Sequence, residues 1–119
     1  MVAVTNPAAV IERLVALETR LDELVEEHKR LGRDAAEAKK RAEVAYARAY
    51  LEAGGPVEER KQRALLSSAD QRLDADVADR LVAGCREALR AVHAHIDAAR
   101  TVASTVRAEV SLAKTGITP

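Results

Sequence analysis

The segment Ala53-Gly54-Gly55-Pro56 decides the fold of this chain, because it is the strongest helix breaker in a sequence otherwise patterned for helices. Gly54 is suited to the left-handed conformation that ends a helix, and Pro56 cannot continue one because it lacks a backbone donor. A first long helix is therefore expected to span residues 7–53. The acidic residues just after Pro56 predict a short helix inside a connector that spans residues 54–68.

The sequence before this breaker has the heptad pattern of a helix with one continuous contact face, or seam. Asn6 followed by Pro7 is a start signal, since asparagine caps free N–H groups and proline is tolerated at the first helical position. Apart from His28, the seam positions are apolar or small. They are Val10, Leu14, Leu17, Leu21, Leu24, His28, Leu31, Ala35, Ala38, Ala42, Ala45 and Ala49.

The sequence after the connector repeats this pattern. Ser68-Ala69-Asp70-Gln71 predicts a capping box that opens a second long helix over residues 69–113, and Gly116 and Pro119 follow its end. Its seam positions are Ala75, Ala78, Val82, Cys85, Leu89, Val92, Ile96, Ala99, Ala103, Val106, Val110 and Ala113. Because the two seams match in length, the sequence predicts an all-α fold with one helical domain over residues 1–119. Its architecture is a long, coiled-coil-like antiparallel hairpin with a short connector helix.

Further apolar residues lie beside both seams and make the apolar face wider than one partner helix covers. A two-helix hairpin also has no third element to close its core, so a homo-oligomer is expected. The pattern leaves open the copy number and whether the long helices pair within one subunit or between subunits. The residues predicted to drive oligomerisation are Leu14, Leu17, Leu21, Leu24, Leu81, Val82, Leu89, Val92, Ile96 and Val106.

The composition of the 119 residues suits long helices better than a globular core, because the only aromatic residues are Tyr46 and Tyr50. Nineteen basic and nineteen acidic side chains give no net charge, but their distribution is uneven. Residues 1–28 hold two basic and six acidic side chains, residues 29–72 hold eleven and seven, and residues 73–119 hold six and six. The middle of the chain is therefore its basic part.

Chemistry-bearing motifs are missing from the sequence. Cys85 is the single cysteine, which excludes an internal disulfide and favours a cytoplasmic protein. His93 and His95 lie two residues apart, which places them on different sides of a helix and disfavours a metal site. No catalytic motif, secretion signal or membrane-spanning run is present. We therefore expect no enzymatic activity, no catalytic or metal-binding residues, no cofactor and no membrane association.

The basic middle of the chain is the candidate binding region. Cations that track a phosphate backbone, together with aromatic rings that stack on bases, are typical of proteins that bind single-stranded nucleic acid. The alternative is that these cations complement a helix dipole and solvate the hairpin. The predicted nucleic-acid-binding residues are Lys39, Lys40, Arg41, Tyr46, Arg48, Tyr50, Arg60, Lys61 and Arg63.

Two stretches, Ala47–Gly54 and Leu66–Asp70, resemble segments of the phage recombination mediators of the UvsY type. In that family a long basic helix, a loop and a Leu-Ser-Ala-Asp segment precede an oligomerising C-terminal helix, and the resemblance in layout covers residues 30–113. It implies that Arg48 matches a DNA-binding arginine and that Lys40 or Arg41 matches the basic pair before it. Tyr46 stands where the family has a lysine.

The resemblance implies an oligomer, of phage or prophage origin, that binds single-stranded DNA and assists loading of a RecA-like recombinase onto strands coated by single-strand-binding protein. The rival hypothesis is a structural or adaptor coiled coil that does not bind nucleic acid. A small regulator that binds duplex DNA is disfavoured, because helices of this length do not match helix-turn-helix spacing.

Overall fold

In a computed structural model, the structure describes residues 6–116, and three helices account for nearly all of them. Helix α1 spans Pro7–Glu52, helix α2 spans Val57–Ser67 and helix α3 spans Ala69–Lys114. The predicted all-α class is confirmed, and the predicted bounds of the two long helices are correct to within one residue. The short helix expected inside the connector is α2.

Helix α1 begins with the cap that the sequence predicts. The backbone N–H of Ala8 donates to Oδ1 of Asn6 at 3.0 Å, and the backbone N–H of Val10 donates to the Asn6 carbonyl at 3.2 Å. Pro7 occupies the first helical position, where its missing donor leaves no bond unmade. Asn6 therefore fixes the start of the first seam.

The turn after α1 differs from the prediction, because the left-handed residue is Gly55 and not Gly54. Gly55 has φ +100°, and a Cβ atom there would lie 2.9 Å from Oε2 of Glu59. The N–H of Ala53 still bonds to the Ala49 carbonyl at 3.0 Å, so the helical hydrogen bonds continue one residue beyond α1. The right-handed helical conformation is disfavoured immediately before Pro56, so Gly55 does not continue the helix, and as a glycine it adopts the positive φ without a steric penalty.

The corner between α2 and α3 is built on Ser68, which is completely buried. Its hydroxyl donates to the Ala64 carbonyl at 2.7 Å, and its backbone N–H donates to the same carbonyl at 3.1 Å. The predicted capping box is therefore wrong, because the N–H of Ser68 belongs to the last turn of α2. Gln71 does not complete the box: its Oε1 is buried and has no hydrogen-bond partner within residues 6–116.

The described residues form two compact units, and both long helices contribute to each of them. The first unit contains the described residues up to Val25 and those from Glu87 onward. Here the start of α1 packs antiparallel to the end of α3, and Glu18 lies 3.8 Å from Arg100 in an exposed ion pair. The buried residues of this unit are Val10, Leu17, Leu24, Val92, Ile96 and Val106.

The second unit, Glu26–Arg86, contains the end of α1, all of α2 and the start of α3. Its buried hydrophobic residues are small, namely Ala35, Ala38, Ala42, Ala64 and Cys85. Small side chains let helix backbones approach closely, and Ala64 of α2 is completely buried in this unit. This unit contains all the predicted nucleic-acid-binding residues.

Burial follows the predicted seams closely. Every predicted seam position of α1 is buried or half-buried, and the same holds in α3 from Ala75 to Val106. The prediction is wrong at the end of α3, where Val110 and Ala113 are exposed because α1 begins at Pro7 and offers these positions little cover. His28 occupies its seam position half-buried, and its Nε2 has no hydrogen-bond partner within the described residues.

Candidate nucleic-acid interface

Three of the predicted cations, Lys40, Arg41 and Arg48, line one groove in the second unit. The groove lies between the C-terminal half of α1 and the start of α3, where Gln71 forms its opposite side. Arg41 and Arg48 are seven residues apart, a spacing of two turns that places both side chains on the same side of α1. The groove therefore presents a short row of cations along the helix.

A second groove in the same unit is lined by Arg48 and by Arg63 of α2. Its remaining lining comes from the last turns of α1, from Ala53 and from the end of α2, where Leu66 and Ser67 lie. Arg48 and Ala45 line both grooves. Arg48 is therefore the residue on which the two grooves meet, and we call the combined surface the Arg48 groove.

The cations of this region differ in whether a carboxylate neutralises them. Within residues 6–116, no carboxylate lies within 4.0 Å of Lys39, Lys40, Arg41, Arg48 or Arg63. Lys61, in contrast, pairs with Glu58 at 3.6 Å. An unpaired exposed cation is available to a phosphate without first breaking an ion pair, so these five side chains are the better candidates.

Two acidic residues that the sequence analysis did not assign to the site also line it. Glu37 lies in the first groove and Glu52 in the second. Glu37 precedes Arg41 by four residues and Glu52 follows Arg48 by four, so helical spacing alone places each acid on the same face as its arginine. These carboxylates reduce the positive potential of the Arg48 groove and limit the affinity of a single copy for a polyanion.

Neither of the two predicted tyrosines lines a groove of the interface. Tyr46 and Tyr50 stack on each other with ring centroids 6.3 Å apart and planes at 19°. The guanidinium of Arg60 lies 4.5 Å from the centroid of the Tyr50 ring, and its Nε donates to the Tyr50 carbonyl at 3.3 Å. Arg60 therefore ties α2 to α1, and the ring of Tyr50 is occupied within the chain.

A second arginine, Arg72, bonds to the C-terminal end of α2. Nη2 of Arg72 donates to the Leu65 carbonyl at 2.7 Å, and its Nε donates to Oγ of Ser68 at 3.3 Å. The sequence shows Arg72 only as one more cation of the basic middle, because a charge count does not reveal a bond to a backbone carbonyl. Together, Arg60 and Arg72 hold α2 in place and fix where Arg63 lies.

Most of the residues predicted to drive oligomerisation pack against other residues of the same chain. Nine of the ten are buried or half-buried in the seams, and Leu81 is exposed. Leu81 continues a row of exposed side chains at four-residue spacing, Leu73, Val77 and Leu81, which we call the α3 ridge. The seams therefore pair α1 with α3 in a single chain, and the α3 ridge remains uncovered.

No group of three or more His, Cys, Asp or Glu side chains in residues 6–116 is arranged to hold a metal ion. Within the same residues, no helix has a sufficiently long and apolar stretch to cross a membrane. Comparisons of the chain with protein-family models, with curated proteins and with solved structures gave no match.

Proposed function

We propose that this protein is an oligomeric single-stranded-DNA-binding recombination mediator that assists loading of a RecA-like recombinase. The observation that carries the proposal is the Arg48 groove, where Lys40, Arg41, Arg48 and Arg63 lie together without a neutralising carboxylate within 4.0 Å in the described residues. A row of unpaired cations matches the spaced negative charges of a nucleic-acid backbone.

The recombination part of the proposal is supported by where the two family-like stretches lie. Arg48, Ala49, Glu52 and Ala53 belong to the first stretch, and Leu66 and Ser67 belong to the second. All of them line the same groove. The two stretches, which are separated by residues 55–65, thus meet at the surface proposed to bind DNA, as expected if both contribute to one function.

The mechanism that follows is electrostatic and multivalent. One Arg48 groove with its two acidic residues binds a strand weakly, but several copies joined in one oligomer engage the same strand at once. Avidity then holds an extended strand in a fixed arrangement for a recombinase that replaces single-strand-binding protein. The partners of this function are further copies of the chain, single-stranded DNA, the recombinase and single-strand-binding protein.

The second candidate function is a structural or adaptor coiled coil. It is favoured by the continuous seams and by the exposed α3 ridge, since neither feature requires nucleic acid. In this function the cations of the Arg48 groove solvate the helices, and the ridge binds a protein. The two candidates differ in whether the chain binds DNA at all.

Charge reversal in the Arg48 groove tests the proposal. The double variant Lys40→Glu with Arg48→Glu is expected to bind a labelled single-stranded oligonucleotide about 30-fold more weakly, because it removes two phosphate contacts and adds two repulsive charges. Fluorescence anisotropy measures the affinity, and circular dichroism checks that helicity is retained.

The matched control is Arg13→Glu with Arg86→Glu, which changes the net charge equally at exposed positions outside the groove. We expect this control to weaken binding only slightly. Equal losses in both double variants would assign binding to overall charge and remove the Arg48 groove as the site. Intact DNA binding with no effect on recombinase filament assembly would restrict the function to strand binding.

A further inference from the structure

The ring of Tyr50 contacts other side chains of the same chain. Arg60 lies over it at 4.5 Å, and Tyr46 stacks against it. Arg60 also donates to the Tyr50 carbonyl at 3.3 Å, so the guanidinium is held in place by the backbone as well as by the ring. A base that stacked on the face of Tyr50 that Arg60 covers would have to displace Arg60 and thereby loosen α2 from α1.

The cations of the Arg48 groove, in contrast, have no ion pair within residues 6–116 that a ligand would first have to break. Lys40, Arg41, Arg48 and Arg63 line the Arg48 groove, and neither tyrosine lines it. The other lining groups of the groove are aliphatic, carboxylate, hydroxyl or amide groups, so it offers no aromatic surface to a base. Strong sequence-tolerant binding of bases by proteins depends on such aromatic surfaces.

We infer that the Arg48 groove binds the sugar–phosphate backbone alone and leaves the bases unstacked. This inference rests on the proposed function and specifies the part of the DNA that the site takes. A strand held in this way keeps its bases exposed, which leaves them available for pairing while the strand is bound.

Comparison of two nucleic-acid strands of equal length as ligands tests this inference. One is an oligothymidylate, and the other has the same sugar–phosphate backbone but carries no base at any position. We expect the intact protein to bind both with the same affinity to within about threefold, because stacking of even one base contributes about tenfold. Competition against one labelled strand at low salt measures both affinities in a single assay.

The outcomes separate the inference from the proposed function. If neither strand binds, the inference and the proposed function are both overturned, since the chain would then not bind nucleic-acid backbones. Binding of the oligothymidylate with much weaker binding of the abasic strand would retain DNA binding as the function and overturn the inference. Equal binding would support backbone recognition.

A separate observation concerns the α3 ridge, whose members Leu73, Val77 and Leu81 are 61%, 48% and 53% exposed. Their four-residue spacing forms one of the ridges by which helices interdigitate when they cross. Asp76 and Arg80 lie on one flank of this ridge, one turn apart. Neither has an ion-pair partner within 4.0 Å in the described part of the chain.

We propose that the α3 ridge binds the same ridge of a second copy in an antiparallel crossing centred on Val77. A two-fold axis at Val77 packs the three apolar side chains of one copy against those of the other. The same axis brings Arg80 of each copy beside Asp76 of its partner, so the charge contacts form twice. A parallel pair brings no acidic side chain to Arg80, so charge complementarity favours the antiparallel arrangement.

A charge swap tests this arrangement. The single variants Asp76→Arg and Arg80→Asp are each expected to weaken self-association about tenfold, because each places like charges together across the two-fold axis. The double variant restores opposite charges at both contacts and is expected to recover the association of the unaltered protein. Sedimentation equilibrium over a range of concentrations measures the dissociation constants.

A substitution at the centre of the crossing gives a larger effect. Val77→Asp brings two carboxylates together on the axis and is expected to weaken association by about 100-fold. Val57→Asp is the matched control, since Val57 is similarly exposed but lies on α2. The proposal is overturned if the unaltered protein is monomeric, if Val77→Asp has no effect, or if the double swap fails to restore association.

Discussion

Single-stranded DNA is expected to dissociate from this protein steeply as salt rises. If the four cations of the Arg48 groove, Lys40, Arg41, Arg48 and Arg63, each contact one phosphate, about four counterions are released from the strand on binding. Each contact on a single strand contributes about −0.7 to the slope of log affinity against log salt. A rise from about 50 to about 200 mM salt then weakens binding about 50-fold.

Anisotropy titrations at several salt concentrations measure this slope directly. Light scattering on the same samples serves as the control, because it shows whether the oligomer persists across the salt series. An affinity for DNA that stayed constant across the series would contradict binding through the Arg48 groove. Loss of DNA binding in parallel with dissociation of the oligomer would indicate that salt acts on assembly.

The second large effect expected is a loss of stability on substitution in the seam of the first unit, where Leu24 is only 2% exposed. Leu24→Ala is expected to lower the free energy of unfolding by about 3 kcal/mol, because it removes buried methyl groups and leaves a cavity between the helices. Urea unfolding followed by circular dichroism, at one fixed protein concentration, measures the change.

The exposed residue Leu51 provides the matched control for this substitution. Leu51 is 75% exposed on the same helix, so Leu51→Ala is expected to change the free energy of unfolding by less than about 0.5 kcal/mol. Similar losses in the two variants would contradict burial in the seam as the cause, because alanine has a higher helix propensity than leucine and Leu51 is exposed. A loss confined to Leu24→Ala would support the seam as the main source of stability.

The fold was largely predictable because each of its main features has a local cause. The heptad spacing determines which side of each helix is buried, and Asn6 with Pro7 determines where α1 begins. The details of the turns were less predictable. Gly54 and Gly55 are equally able to adopt a positive φ, and the sequence does not show which of them completes the reversal before Pro56.

The candidate site was predictable in position but not in detail. The excess of basic residues pointed to the region that contains the Arg48 groove, and spacing on α1 predicts that Arg41 and Arg48 lie on one side, as they do. The sequence did not show that Arg60 is held by Tyr50, since this contact joins residues on different helices. Counting charges also treats every cation as available, whereas backbone carbonyls bind two of the arginines.

The two arginines that hold α2 differ from those of the groove in how they would tolerate replacement by lysine. At Arg48 or Arg63 a lysine keeps the positive charge, which is the property that a phosphate contact requires. At Arg60 a lysine has neither the planar group that lies on the Tyr50 ring nor the Nε donor. At Arg72 it loses the fork that reaches both Leu65 and Ser68. Lysine can therefore replace arginine at Arg48 or Arg63. It cannot replace Arg60 or Arg72, which hold α2 in place.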